Sequence, residues 1–154
     1  MRGWPSSRYG AQVSDDLGPA PGLLQRDVLA AVACGGVVGV LLRYGLGELA
    51  GPAGRGWPWT TFLENLTGSL LLGVLLVAVL ERGRGHRLAR PFLGVGVLGS
   101  FTTMSAYGFE TQQMLLAGQD AQAAGYVAAT LVGGLAAVFL GVRAARALMP
   151  PVTS

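Results

Sequence analysis

Four apolar runs, at about residues 27–46, 59–80, 91–116 and 121–148, dominate this chain of 154 residues. Each reaches or exceeds the roughly 20 residues that an α-helix needs to cross the hydrocarbon of a bilayer. Lipid offers no partner to a backbone amide, so segments of this kind must satisfy their own hydrogen bonds as helices. The expectation is an all-α membrane protein with four transmembrane helices. Composition agrees, with 51% apolar residues, 12% charged residues and 25 glycines. The links between runs are short: GELAGPAGRGWP carries glycine and proline breakers, ERGRGHRLAR carries charge, and AGQD makes a tight turn.

The ends of the chain read differently. Residues 1–25 combine three prolines with mixed charge and have no apolar run long enough for a signal-peptide core, so they are expected to form a disordered cytoplasmic tail. Residues 26–149 are the transmembrane domain, and residues 150–154 a short C-terminal tail. There is no internal repeat. Cys34 is the one cysteine, which excludes an intrachain disulfide, and inside an apolar run it is expected to be a small buried hydrophobe.

All 11 basic residues other than histidine are arginines, and they flank the apolar runs, as topology signals do; this argues against nucleic acid as a partner. With four spans, the tail, the second link and the C-terminus share one side. That side carries Arg2, Arg8, Arg26, Arg82, Arg84, Arg87, Arg90, Arg143 and Arg146, against Arg43 and Arg55 on the other. Nine against two places both termini in the cytoplasm of a multi-pass cell-membrane protein. His86 lies within the arginine cluster as a solvated loop residue, with no partner at metal-binding spacing.

Polar residues inside spans are expensive in lipid and normally face partner helices or a water path. Thr61, Asn65 and Ser69 recur every fourth residue and share one stripe of the second span. Tyr126 and Thr130 form a stripe in the fourth that continues into Gly134, and Ser100, Thr102, Thr103, Ser105 and Tyr107 crowd the third. Close-packing glycines are expected at Gly35, Gly39, Gly133 and Gly134. No Ser/His/Asp set, Cys/His pair or phosphate loop is present, so no enzymatic activity is indicated. What remains is a set of neutral donors: the Asn65 amide, the hydroxyls of Ser105, Tyr126 and Thr130, and the ring edge of Tyr107. Donors without full charge bind an anion firmly enough to admit it and weakly enough to release it. The pattern suits a small anion with a high demand for hydrogen bonds.

The segments GGVVGVLLRYGLG (35–47), TTFLENLTGSLLLG (60–73) and GVLGSFTTMSAYGFE (96–110) resemble, in order and spacing, the three signatures of the CrcB/Fluc fluoride channels. The resemblance covers residues 26–149. It implies a third helix broken at the Gly-x-x-Thr run and an antiparallel, dual-topology dimer of inverted subunits. Fluoride would pass through pores at the subunit interface and leave the cytoplasm passively. It further implies a central, structural and non-transported sodium ion on the backbone carbonyls of Gly99 and Thr102. Carried over residue by residue, Asn65 lines the pore, Tyr126 and Thr130 lie on the polar track, Glu110 is a vestibule acid, and Arg43 ends the first signature. Met104 and Tyr107 stand where the family usually has phenylalanines facing fluoride, and Gly134 where it usually has serine. Tyrosine keeps an aromatic edge, whereas methionine offers only a thioether.

Two further expectations come from charge. Glu64 precedes the pore asparagine, where a carboxylate would repel an anion; an intramembrane ion pair with Arg43 would cancel it, the alternative being a carboxylate that reaches up to the interface. The arginine asymmetry disfavours insertion in both orientations, so a heterodimer with an inverted CrcB-like subunit stands beside the homodimer. Two other readings remain: a proton-coupled exporter of the small multidrug type using Glu64 or Glu110, and a non-conducting subunit of a heterodimeric channel.

Overall fold

The structure is a computed structural model and describes residues 23–50, 56–81 and 87–149. The expected tails, most of the arginine-rich second link with Arg82, Arg84 and His86, and Arg55 lie outside these residues. Within them every element is helical. Helix α1 spans Leu23–Ala50, and α2 spans Trp59–Leu76 and runs on as a π-wound turn over Val77–Glu81. Helix α3 is π-wound over Arg90–Leu98 and α-helical over Gly99–Phe101. Helices α4, Met104–Leu116, and α5, Asp120–Leu148, complete the chain. Taken together, α3 and α4 make the third of four spans long and apolar enough to cross a membrane.

The bundle is two tight pairs, α1 with α3 and α2 with α5, with α4 laid against α5. Glycine sets both seams. A Cβ on Gly35 would lie 2.3 Å from the Phe92 carbonyl oxygen, and one on Gly39 would lie 2.2 Å from that of Val97. Gly73 against Val138 (2.3 Å) and Gly141 against Leu70 (2.2 Å) do the same between α2 and α5. Such contacts let backbones approach until dispersion alone holds the helices, which is how packing works where lipid is as apolar as leucine. Gly133 and Gly134, expected to be close-packing, meet Leu66 and the Ser69 hydroxyl at ordinary distances of 3.4 and 3.5 Å. The seam runs one to two turns further along α5.

Cys34 is exposed, contrary to expectation. It stands beside the Gly35/Gly39 face, and that face alone is taken up by α3. Most large apolar side chains also point outward, among them Leu41, Val95, Val132 and Leu135. An outside this apolar belongs to a protein whose solvent is lipid or a second subunit. Between α4 and α5 the chain turns at Gly118, which takes φ 71° at little cost because it lacks a Cβ.

Candidate functional site

The third span breaks at the Gly-Ser-Phe-Thr-Thr run. Thr102 (φ −76°, ψ 152°) and Thr103 (φ −140°, ψ 116°) are extended between α3 and α4. Thr103 restarts the helix as its N-cap, its Oγ1 accepting from the Ala106 amide at 3.1 Å and pairing with Ser105 Oγ at 3.2 Å. Asn65 on α2 locks the break. Its Oδ1 accepts from the Thr103 amide at 2.9 Å, and its Nδ2 donates to the Thr103 carbonyl at 3.2 Å. One side-chain amide thus stands in for a neighbouring strand.

This clamp redirects the helix's own hydrogen bonds. The ladder's last regular bond here is from the Thr102 amide to Leu98 at 3.0 Å. In an unbroken helix the Thr103 amide would close onto the Gly99 carbonyl and the Ala106 amide onto that of Thr102. The first goes to Asn65 and the second to the Thr103 hydroxyl. The Gly99 and Thr102 carbonyls are released from the ladder, and both residues line a cavity of about 350 Å³. Gly68 makes room, since a Cβ there would lie 2.3 Å from the Thr102 methyl.

Four of the six expected pathway residues, Asn65, Met104, Tyr107 and Thr130, line that cavity, together with Ser69. Thr130 Oγ1 is buried and has no hydrogen-bond partner. Met104 is 78% exposed, so the cavity opens toward the outer face of the bundle. Ser105 is tied to Thr103 at the break. Tyr126 lies behind the cavity wall, fully buried, its ring 5.3 Å from that of Tyr107.

Tyr126 belongs to a second cluster around Glu110. One Glu110 oxygen accepts from the Tyr126 hydroxyl at 2.7 Å and the other from the Thr61 hydroxyl at 2.6 Å. This joins α2, α4 and α5 on one carboxylate. Thr61 is missing from the sequence-derived site, although its place on the Asn65 stripe was a signal. Thr103 reads in the sequence only as one of a polar run, and nothing in spacing reveals that its backbone is what Asn65 holds.

The expected Arg43–Glu64 ion pair does not form. Among the described residues the ion pair within reach is Arg87–Asp27, at 2.6 Å and half exposed. The reason lies in the packing: α1 leans on α3 and α2 on α5, so the helices carrying Arg43 and Glu64 scarcely meet. Glu64 is buried at 5% exposure, which also excludes a carboxylate reaching up to solvent within this chain.

Comparison with known proteins bears on this geometry. Residues 30–142 match the family described as CrcB-like protein, Camphor Resistance (CrcB). The chain is 46% identical over 119 residues to the fluoride-specific ion channel FluC 2 of Nocardia farcinica, covering 77% of this chain and 85% of that one. It is 47% identical to the fluoride-specific ion channel FluC of Thermus thermophilus, covering 77% and 94%. To the fluoride-specific ion channel FluC 1 of Streptomyces coelicolor it is 40% identical, covering 81% of each. The broken third span, its asparagine clamp and these similarities lead to one assignment: the chain belongs to the CrcB family.

Proposed function

We propose that the chain is a subunit of a fluoride-selective channel that lowers cytoplasmic fluoride by passive export. The observation that carries this reading is the cavity at the helix break, where neutral donors converge at bilayer depth. The Asn65 amide spends one of its two hydrogens on Thr103 and keeps the other. Thr130 contributes a buried hydroxyl with no partner. Ser69, beside Gly134, supplies from α2 the hydroxyl that α5 lacks at that level. A small, strongly hydrated anion leaving water needs several such donors, and none of them carries a charge that would trap it.

The cavity opens sideways past Met104, so a pore needs a second subunit to wall it. We place that subunit antiparallel to the first, with both termini of this chain cytoplasmic. The nine-to-two arginine bias favours a partner that is a related chain of opposite orientation over an identical one. Gly99 and Thr102 fit the sodium ion that the family resemblance implies, since both carbonyls are freed from the helix and carbonyl oxygen is the ligand a hard cation takes. Bound there, sodium would supply positive charge beside the anion route. Two carbonyls fill only part of such an ion's coordination, and the inverted subunit would bring the rest.

The test is ion efflux from proteoliposomes containing this chain, alone and with an opposite-topology relative, in sodium, with fluoride and chloride compared. Rapid fluoride release with chloride retained supports the channel, and its dependence on the relative decides between homodimer and heterodimer. Folded protein that releases neither ion under both conditions overturns the reading.

A further inference from the structure

Two buried side-chain polar atoms among the described residues have no hydrogen-bond partner: Thr130 Oγ1 and Trp57 Nε1. Thr130 belongs to the cavity already described. Trp57 stands apart from it, in the segment just before α2, and nothing in the mechanism uses it. A buried indole N–H without an acceptor loses its hydrogen bond to water and gains nothing in return, so an acceptor is expected to reach it.

Its surroundings suggest which one. Tyr107, in the cavity wall, has its ring 5.3 Å from Tyr126, and Tyr126 has its ring 5.4 Å from Trp57 in an edge-to-face contact of 86°. The aromatic series continues to Trp59 at 5.8 Å and to Phe62 at 5.7 Å. Beside it the hydroxyls of Thr61 and Tyr126 are spent, because both donate to Glu110. The Trp57 N–H is a donor still without an acceptor. An indole N–H only donates, so it can pair with an anion and not with a cation.

We propose that the Trp57 indole N–H is an outer anion-binding station, separated from the Asn65/Thr130 cavity by the Tyr126 ring, and that fluoride occupies it on its way through the chain. The proposal rests on the channel reading above, but its test does not depend on flux. The chain has three tryptophans, so the full-length Trp4→Phe/Trp59→Phe variant leaves Trp57 as the sole indole reporter. Reconstituted in liposomes, its emission should change saturably with sodium fluoride and show no saturable response to sodium chloride. In the otherwise native chain, Trp57→Phe keeps the ring and removes the donor, and should lower fluoride efflux about tenfold, with Trp57→His restoring part of it.

Emission that does not respond to fluoride, or that falls linearly with both halides as collisional quenching does, overturns the inference. So does a Trp57→Phe variant that conducts at the parent rate. A parent that conducts neither halide sinks the channel reading instead, and the emission titration then still decides for or against the station.

Discussion

The two halves of the third span, α3 before the break and α4 after it, are held in opposite ways. Helix α3 meets α1 through glycines, backbone against backbone, at Gly35, Gly39 and Gly96. Helix α4 is held by polar groups, with Asn65 on its first peptide and Thr61 and Tyr126 on Glu110. Close packing is insensitive to what passes nearby, because it has no donors to lend. Hydrogen bonds to a carboxylate and a peptide can be exchanged for bonds to an ion. On the proposed channel function, one half serves as scaffold and the other is the part that would meet the anion.

Substitutions that strike one half and spare the other would break this comparison. The largest effect is expected from Asn65→Leu, which leaves both Thr103 backbone groups without partners, at a cost of roughly 2–4 kcal/mol. Fluoride efflux should vanish and thermal stability in detergent should fall together. Gly39→Ala comes next. Its new Cβ would sit 2.2 Å from the Val97 carbonyl, forcing α1 and α3 apart for about 2–3 kcal/mol. Stability should drop while fluoride-over-chloride preference in the surviving protein stays unchanged; altered preference would show that the scaffold half is no mere scaffold.

Tyr126→Phe removes one charge-assisted bond to Glu110, worth about 1.5 kcal/mol, and should slow efflux more than that modest stability loss explains. Smallest of all, Asp27→Asn breaks an exposed ion pair and should move stability by no more than about 0.5 kcal/mol, with efflux intact. A large loss there would mean that the start of α1 carries weight this packing does not give it.

The split between the halves also marks how far the sequence can be read. Spans follow from apolar run length, and the break follows from a resemblance combined with Gly-Ser-Thr density; both are local. The glycine face at Gly35 and Gly39 is local as well, since i and i+4 share one side of a helix. The Glu110 cluster is not, because Thr61 and Glu110 are 49 residues apart and nothing in their spacing couples them. Asn65 is legible as a polar residue inside the second span, yet its partner is a backbone group, which carries no sequence letter. The Arg43–Glu64 pairing failed for the same reason in reverse: equal depth in the membrane does not make two helices neighbours. Cys34 shows the limit within a single helix, where an apolar context does not say which face is covered.

Passive fluoride conduction is tested most directly by the reversal potential of the current carried by the reconstituted chain, with its opposite-topology relative if conduction requires one. Under opposed fluoride, chloride and pH gradients, the current should reverse at fluoride's own equilibrium potential and stay there as pH and chloride are varied. A reversal potential that follows the pH gradient would point to proton coupling through Glu64 or Glu110 and contradict the account, as would one that follows chloride.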